Sequence, residues 1–240
     1  RVTADIYQND VKDLILGVAL PSNSGYDTQY QNIGRTSNKG LEIAVSGDII
    51  KNDQFYLSAN FNIAFNKNIV KELDGSSEMI VSSNWGALIG KDDYRAIVGQ
   101  PVGLMYGYVS DGYYTFDDFT YDSAQKKWIL NPGVADASKV LPTSGNYFGP
   151  GHMKLKKLTD DGTTVISADK DRKVIGRAQP KHVGGFSFST GYKGFDLTAM
   201  FNWSFGNDIY NANRIDQTTF SGSKKYQNMS SVMSIEDRFT

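Results

Sequence analysis

The chain has 240 residues, no Cys, only two His, and 25 Lys and Arg against 26 Asp and Glu. Without Cys there is no disulfide framework, no Cys-ligated metal and no thiol nucleophile, and without a basic excess the composition argues against a nucleic-acid-binding protein. No apolar run approaches the roughly 18 residues that predict a transmembrane helix.

The first strands are predicted from alternation. Residues 2–7 alternate between apolar and polar side chains, which predicts a β-strand because successive side chains point to opposite faces. The polar residues 9–12 predict a turn, residues 13–20 a second strand, and residues 21–38 a loop. Residues 39–50 alternate again, and a short turn at 51–53 leads into the next alternating run, which predicts a β-hairpin.

The two clearest runs each have eleven residues, "FYLSANFNIAF" at 55–65 and "FDLTAMFNWSF" at 195–205. Residues 183–192 predict another strand, joined to the second run by a tight turn at 193–194. One face of the two runs is apolar, with aromatic residues at its ends. Its predicted lipid-facing residues are Phe55, Leu57, Phe61, Ile63, Phe65, Phe195, Leu197, Phe201, Trp203 and Phe205.

Between these hairpins lie 116 residues, 67–182, without a long alternating pair. A connection of this length is normally functional or carries its own substructure. After residue 205 the sequence predicts a polar loop to about residue 226 and the start of another strand at 227–240. No segment predicts a helix.

The polar face of the long runs carries Asn, Ser and Thr, and Asp196 is its only charged residue. A strand of a soluble sheet would normally present Lys, Glu and Arg to water, whereas a transmembrane barrel strand has an apolar outer band between aromatic girdles and a polar inner face. Short and long connections also alternate along the chain, as they do in outer-membrane barrels. The alternative is a soluble β-sandwich or jelly roll that packs its apolar face on a second sheet.

We therefore predict an all-β fold that is a segment of a large antiparallel transmembrane β-barrel with long extracellular loops. Residues 1–66 provide about four barrel strands and one extracellular loop, residues 67–182 a long extracellular insertion, and residues 183–240 about three further strands and a loop. The predicted lumen-facing residues are Asn60, Asn62, Asn202 and Ser204, which hydrate the channel or contact a plug.

Four stretches of the sequence stand out: "QNIGRTSNKGLEIAVSGDII" followed by "NDQFYLSANFNIAFNKNIVKEL", then "VGQPVGLMYGYVSDGYY", and "VIGRAQPKHVGGFSFSTGYKGFDLTAMFNWSFGNDIYN". Together they resemble the SusC-like family of TonB-dependent outer-membrane transporters. The stretches occur in the family's order, spaced as in its C-terminal barrel portion, and reach about residue 213.

The resemblance implies a barrel of about 22 strands with a plug inside, a segment that reaches the energising TonB complex, and a SusD-like lipoprotein that closes the extracellular mouth. About seven strands are predicted in this chain, so we expect a segment of a longer polypeptide that lacks the plug and the TonB-contacting part. The implied function is import of oligosaccharides or peptides through the outer membrane of a Gram-negative bacterium. No enzymatic activity, no cofactor and no nucleic acid partner are expected.

The insertion contains the predicted substrate-binding residues, aromatic side chains that can stack on sugar rings or peptide side chains. They are Tyr106, Tyr108, Tyr113, Tyr114 and Trp85. The alternative is that these rings pack the long loop against the barrel mouth. The segment "LTDDGTTVISADKDRKVIG" departs from a calcium-binding loop, so its Asp residues are expected to be solvated and no metal site is predicted.

Two further functions from other classes remain compatible with the sequence, and a milder variant is a receptor that senses its ligand without importing it. A soluble carbohydrate-binding or adhesive β-domain would use the same hairpins with the apolar face buried. A β-rich hydrolase would need a pair of carboxylates in a cleft, and no such pair stands out.

Overall fold

The computed structural model describes residues 1–20, 22–26, 28–83, 92–141 and 147–218. Within them the strands are β1 (Val2–Ala19), β2 (Thr28–Lys51), β3 (Phe55–Glu72), β4 (Glu78–Val81), β5 (Tyr94–Ile97), β6 (Leu104–Gly107), β7 (Ser110–Tyr113), β8 (Phe119–Asp122), β9 (Lys127–Leu130), β10 (Met153–Leu155), β11 (Lys173–Arg177), β12 (His182–Tyr192) and β13 (Phe195–Phe205). Short 3₁₀ turns lie at Ser22–Ser24 and Phe116–Asp118, and one helix, α1, at Ala212–Thr218.

The chain divides into two compact units. Counting only described residues, unit 1 comprises residues 1–83, 92–105 and 176–209, and unit 2 comprises residues 106–141, 147–175 and 210–218. The described residues include no helical segment that could span a membrane.

Unit 1 is built on a five-stranded sheet in the order β1-β2-β3-β12-β13. Every neighbouring pair is antiparallel. The strands follow one another in the sheet in chain order, although a long insertion separates β3 from β12. The chain also contains a four-stranded sheet in the order β11-β6-β5-β4.

The second hairpin agrees with the sequence prediction. Strand β13 has the predicted bounds, and β12 begins one residue earlier than predicted. The tight turn at 193–194 is confirmed, because Lys193 and Gly194 have φ angles of 47° and 87°. Positive φ at both central residues matches the right-handed twist of a two-residue β-hairpin.

The predicted turn at 9–12 is wrong. Strand β1 runs through these residues, and its register against β2 shifts between Val11 and Leu14, where Asp13 has a φ of 58°. The polar residues therefore mark a β-bulge, in which the extra residue bends one strand without reversing the chain. Residues 1–72 consequently contain three long strands where the sequence predicts four.

The predicted loop at 21–38 is wrong in its second half, because β2 begins at Thr28. Residues 28–37 pair with β1 in a hairpin, and the side chains at its tip, such as Tyr26 and Tyr30, are exposed. Polar composition does not exclude strand structure when a neighbouring strand provides the backbone partners, since β-propensity depends strongly on context.

Unit 2 folds around a small core of its own. The buried side chains Tyr114, Phe119, Ala137, Leu155 and Ile166 pack together, with Trp128, Leu130 and Phe148 among the half-buried residues around them. Two small antiparallel sheets, β7 with β10 and β8 with β9, frame this core. The insertion thus carries its own substructure, formed by residues far apart in sequence.

Candidate functional site

The register of the five-stranded sheet joins the apolar sides of its strands into one face, which we call the apolar face. Phe61 on β3 is opposite Val45 on β2 and Phe186 on β12, and Phe186 is in turn opposite Phe201 on β13. The other predicted apolar residues align in the same way. On this face lie Val2, Ala4, Ile6, Leu41, Ile43, Val45, Phe55, Leu57, Phe61, Ile63, Phe65, Phe186, Phe188, Phe195, Leu197, Phe201, Trp203 and Phe205.

Most of the apolar face is open to the surroundings. Phe195 is 83% exposed, and Phe201 and Phe205 are more than half exposed. Phe61 and Phe65 are also exposed, at 38% and 40%. Isolated apolar residues are ordinary on protein surfaces, but a contiguous face of this kind marks an interaction surface.

Aromatic rows border the apolar face at both ends. At the end with the short turns, Tyr192 is opposite both Phe55 and Phe195, and the rings of Tyr192 and Phe55 meet edge to face. At the other end the ring of His182 stacks on Phe205 at 5.0 Å and lies 5.7 Å from Phe65.

Trp203 shows how a polar group is accommodated on this face. Its indole Nε1–H donates to Nδ1 of His182 at 3.1 Å, and its ring lies 5.9 Å from that of Phe61. A Cβ on Gly184 would collide with the same indole. The tryptophan therefore keeps its hydrogen bond within the sheet while its ring covers the glycine, an arrangement that stabilises strands rich in glycine.

The opposite side of the same sheet, the polar face, carries all four residues predicted to face a lumen. Asn62 on β3 and Asn202 on β13 are both opposite Gly185, and their amide groups lie close to the position of a Cβ on that glycine. Asn60 donates to Oγ of Ser187 at 3.4 Å, and Ser204 donates to Oδ1 of Asn207 at 2.9 Å.

Hydrogen bonds also run across the strands elsewhere on the polar face. Tyr56 on β3 donates to Asp196 on β13 at 3.0 Å, and Ser58 donates to Asp48 on β2 at 2.7 Å. Near the other end Tyr7 donates to Asn66 at 3.3 Å. The two faces of the sheet therefore differ sharply in chemistry, one hydrocarbon and the other amide, hydroxyl and carboxylate.

In unit 2 the predicted binding residues have different environments. Tyr106 and Tyr108 lie beside the guanidinium of Arg172, whose carbon is 5.4 and 5.9 Å from their ring centres. Tyr113 is 51% exposed. Trp85 lies outside the described residues.

The structure contradicts the predicted substrate-binding role of Tyr114, because the side chain is fully buried in the core of unit 2. Its hydroxyl donates to the carbonyl oxygen of Ala135 and accepts from the N–H of Ala137 at 3.1 Å. Burial raises the pKa of this hydroxyl, which favours the neutral donor. Tyr114 packs inside unit 2, an arrangement that the sequence did not predict, and offers no ring surface to a ligand.

Asp171 organises the Asp-rich segment of unit 2. The carboxylate is fully buried and accepts from the N–H groups of Leu158, Thr159 and Ser167 at 2.8–3.0 Å and from the ammonium of Lys157 at 2.9 Å. Burial alone raises a carboxyl pKa, but these donors outweigh it and the pKa of Asp171 is lowered.

Both oxygens of Asp171 are occupied by donors, so this carboxylate holds the loop together. Across the described ranges, no three His, Cys, Asp or Glu side chains are arranged to hold a metal ion. Sequence reasoning missed the structural role of Asp171. The only sign of this role in the sequence is that Asp171 follows a turn-rich segment. Most of its partners are backbone N–H groups, which have no sequence signature.

The chain is similar in sequence to TonB-dependent receptors. Two such receptors of Formosa agariphila are each 30% identical to it and match 88% of the chain, which covers 20% and 19% of their own length. The TonB-dependent receptor SusC of Bacteroides thetaiotaomicron is 26% identical over 52% of the chain, or 12% of the receptor. The chain thus spans about a fifth of the length of the first of these relatives, and no family model matches it.

Solved structures are similar to the chain in fold. The RagAB peptide importer in its closed-closed state matches 86% of this chain with a TM-score of 0.54 and 23% identity. The structure of the RagAB peptide transporter matches 84% with a TM-score of 0.51 and 24% identity. In each case this chain covers 19% of the matched chain. The resemblance to SusC-like TonB-dependent transporters is confirmed over most of the chain.

Proposed function

We propose that unit 1 forms part of the wall of a transmembrane β-barrel in an outer-membrane importer, with its apolar face against lipid and its polar face toward the lumen. The observation that carries this proposal is the register, which collects the apolar residues of five strands on one exposed face and the amide and hydroxyl residues on the other. In lipid a barrel wall needs this separation, because the outer surface meets hydrocarbon and the inner surface meets water.

The dimensions of the apolar face support a lipid-facing role. Phe55 and Phe65 belong to the two aromatic rows and are ten residues apart on β3, which is about 33 Å of strand at roughly 3.3 Å per residue. A tilt of about 40° reduces this to a height of about 25 Å, the height of the apolar band of outer-membrane barrels. The aromatic rows then lie at the two interfaces, where aromatic side chains are favoured.

The polar face supports a water-filled or plugged interior. The amides of Asn62 and Asn202 approach each other across Gly185, where a larger residue would fill the space between them. We assign Asn60, Asn62, Asn202 and Ser204 to the lumen, where their amides and hydroxyls hydrate the channel or bond to a plug from another part of the polypeptide.

The whole importer takes up oligosaccharides or peptides, works with a SusD-like surface lipoprotein as lid and is energised by the TonB complex. The similarity to SusC and to chains of the RagAB peptide importer supports this assignment. The exposed ring of Tyr113 and the Tyr106–Tyr108–Arg172 group are the candidate ligand contacts of unit 2, on the extracellular side. Transport of this kind requires no chemistry on the substrate, and we assign no enzymatic activity.

The second candidate is a soluble carbohydrate-binding or adhesive β-domain, whose apolar face would be covered by another protein layer. Membrane extraction distinguishes the two. The polypeptide that contains this chain should stay with the outer-membrane fraction in high salt and at alkaline pH, and should be released only by detergent. Release by salt or alkali would favour the soluble domain and contradict the barrel.

Uptake tests the transport step separately. Cells that lack the polypeptide should lose growth on a specific oligosaccharide or peptide source, and the protein with Tyr113→Ala should be correctly inserted but import that nutrient less well. If deletion affects growth on no member of a panel of glycans and peptides, the importer assignment is wrong even where the protein is embedded in the membrane.

A further inference from the structure

Two lysines are cross-strand neighbours on the same side of the sheet as the apolar face, just beyond its aromatic border. Lys39 on β2 and Lys67 on β3 are direct cross-strand partners, and Gln8 on β1 is the partner of Lys39 on the other side. Because side chains alternate along a strand, both lysines lie on the same side of the sheet as Leu41 and Phe65, which are two residues away. The distance from the apolar band to the lysine row is about 7 Å along the strand.

A groove of about 630 Å³ joins this lysine row to the apolar face, and we call it the lysine groove. Its apolar lining is Ile6, Leu41 and Phe65, and its charged lining is Lys39, Lys67 and Lys181. The described residues that line it include no Asp or Glu. An adjoining groove of about 430 Å³ shares Lys67 and Lys181 and adds Arg177, and its described lining is likewise free of acidic residues.

Lys181 is held at the groove by its own contacts. Its backbone N–H donates to the carbonyl oxygen of Phe205 at 2.8 Å, which fixes the start of β12 against the end of β13. Its hydrocarbon stem lies where a Cβ on Gly206 would stand. The glycine thus leaves space for the stem and lets the ammonium group reach the groove.

The arrangement is unfavourable by itself, because like charges directly opposite each other destabilise a sheet. Asp10, two residues from Gln8 on β1, attracts Lys39 electrostatically, but among the described residues no carboxylate lies within 4.0 Å of the ammonium groups of Lys39, Lys67 or Lys181. All three side chains are exposed. A bound anion with more than one oxygen would offset this repulsion and accept hydrogen bonds from several ammonium groups at once.

We propose that the lysine groove binds the phosphorylated headgroup of a membrane lipid whose acyl chains lie on the apolar face. This inference rests on the proposed function, because it requires the apolar face to be embedded in lipid. The groove favours a lipid over free phosphate because Ile6, Leu41 and Phe65 continue from the lysines into the apolar face. A headgroup at the interface satisfies the charges while its chains cover hydrocarbon side chains, as in other basic lipid sites of membrane proteins.

The test uses the complete polypeptide in nanodiscs of phosphatidylcholine that contain either bisphosphorylated lipid A or the same lipid after dephosphorylation. Retained lipid is counted by native mass spectrometry. The triple variant Lys39→Gln, Lys67→Gln and Lys181→Gln should lose at least about tenfold in affinity for the phosphorylated lipid, since lysines near a membrane surface attract anionic headgroups. The matched control replaces Lys51, Lys127 and Lys193 by Gln, which changes the net charge equally.

The outcomes separate the two proposals. The lipid site is supported if all forms insert, the unmodified protein and the control prefer phosphorylated lipid, and the triple variant loses this preference. If the protein inserts but retains both lipids equally, or if the triple variant behaves like the control, the lipid site is wrong and the barrel proposal stands. If free inorganic phosphate at equal concentration displaces the lipid completely, the groove is a phosphate site and not a lipid site. Failure of every form to insert would overturn both proposals.

Discussion

The ring of Tyr56 on β3 lies across Gly191 on β12, and its hydroxyl donates to Oδ1 of Asp196 on β13 at 3.0 Å. Three strands are joined by one side chain, and the glycine between them makes the approach possible. A Cβ at position 191 would overlap the tyrosine ring and would lie 2.6 Å from Oδ1 of Asp196.

Gly191→Ala should therefore lower the free energy of unfolding by about 1–3 kcal/mol, the usual cost of overpacking a filled space. Thermal unfolding of the detergent-solubilised protein measures the effect. Gly47→Ala is the control, because Gly47 lies in the same sheet and a Cβ there meets nothing within 4 Å. Equal effects of the two substitutions would show that Tyr56 does not occupy this space.

Tyr114→Phe should destabilise unit 2. The substitution leaves the carbonyl of Ala135 and the N–H of Ala137 without their buried partner, which costs about 1–3 kcal/mol. Hydrogen exchange of residues 106–141 and 147–175 should become faster. Tyr113→Ala, at the exposed neighbour, should leave exchange unchanged and reduce ligand uptake. If Tyr114→Phe reduced uptake without changing hydrogen exchange, and Tyr113→Ala changed exchange instead, Tyr114 would be a binding residue and its structural role would be contradicted.

Asp171→Asn should loosen the loop from Leu158 to Ser167. The carboxylate accepts from three backbone N–H groups and from Lys157, and hydrogen bonds to a charged group contribute about 1.5–3 kcal/mol each. Limited proteolysis should cut residues 158–167 in the variant and leave the parent intact. Asp169→Asn, at an exposed neighbour, is the control, and equal cutting of both variants would contradict the role of Asp171.

The same loop should be sensitive to acid in a defined range. The hydroxyl of Thr163, and then the ammonium groups of Lys170 and Lys157, lower the pKa of Asp161 to about 2, and the pKa of Asp171 is lowered by its donors. An unfolded Asp titrates near 3.9. The folded carboxylates bind protons less readily, so their stabilisation is complete above about pH 4 and is lost as the pH falls toward 2.

The measurement is the proteolytic protection of residues 157–171 against an acid-active protease between pH 5 and pH 2. Protection should be constant down to about pH 4 and then fall. In Asp161→Asn the fall should be shallower, because one of the titrating groups is gone. Loss of protection centred near neutral pH would show that these two carboxylates do not control the loop.

The sequence predicts the long hairpins because their side chains report the environment of each face directly. Strand β13 and the turn at Lys193–Gly194 are found where the alternation and the Lys-Gly pair predict them. The alternation also assigns Asn62 and Asn202 to one side. The alternation does not predict that both side chains lie beside Gly185, because this depends on the register between strands that a long insertion separates.

The features that the sequence did not predict also have specific physical causes. Residues 9–12 have turn composition, yet they are part of a strand that bulges at Asp13, and a bulge uses the same polar residues as a turn. The core of unit 2 joins Tyr114 to Ile166, positions without any common periodicity. The pairing of Lys39 with Lys67 is likewise a consequence of register, and neither lysine is conspicuous in the sequence alone.

The most direct test of the central claim is cysteine accessibility along β3 and β13 in the membrane-embedded protein. The chain contains no Cys, so single Cys residues can be placed at Asn60, Phe61 and Asn62, and at Phe201 and Asn202, after removal of any Cys elsewhere in the polypeptide. A water-soluble maleimide should label positions 60, 62 and 202, whereas positions 61 and 201 should react only with a lipid-soluble reagent. Uniform labelling by the water-soluble reagent, or labelling of positions 61 and 201 in preference to their neighbours, would contradict the claim that the apolar face meets lipid.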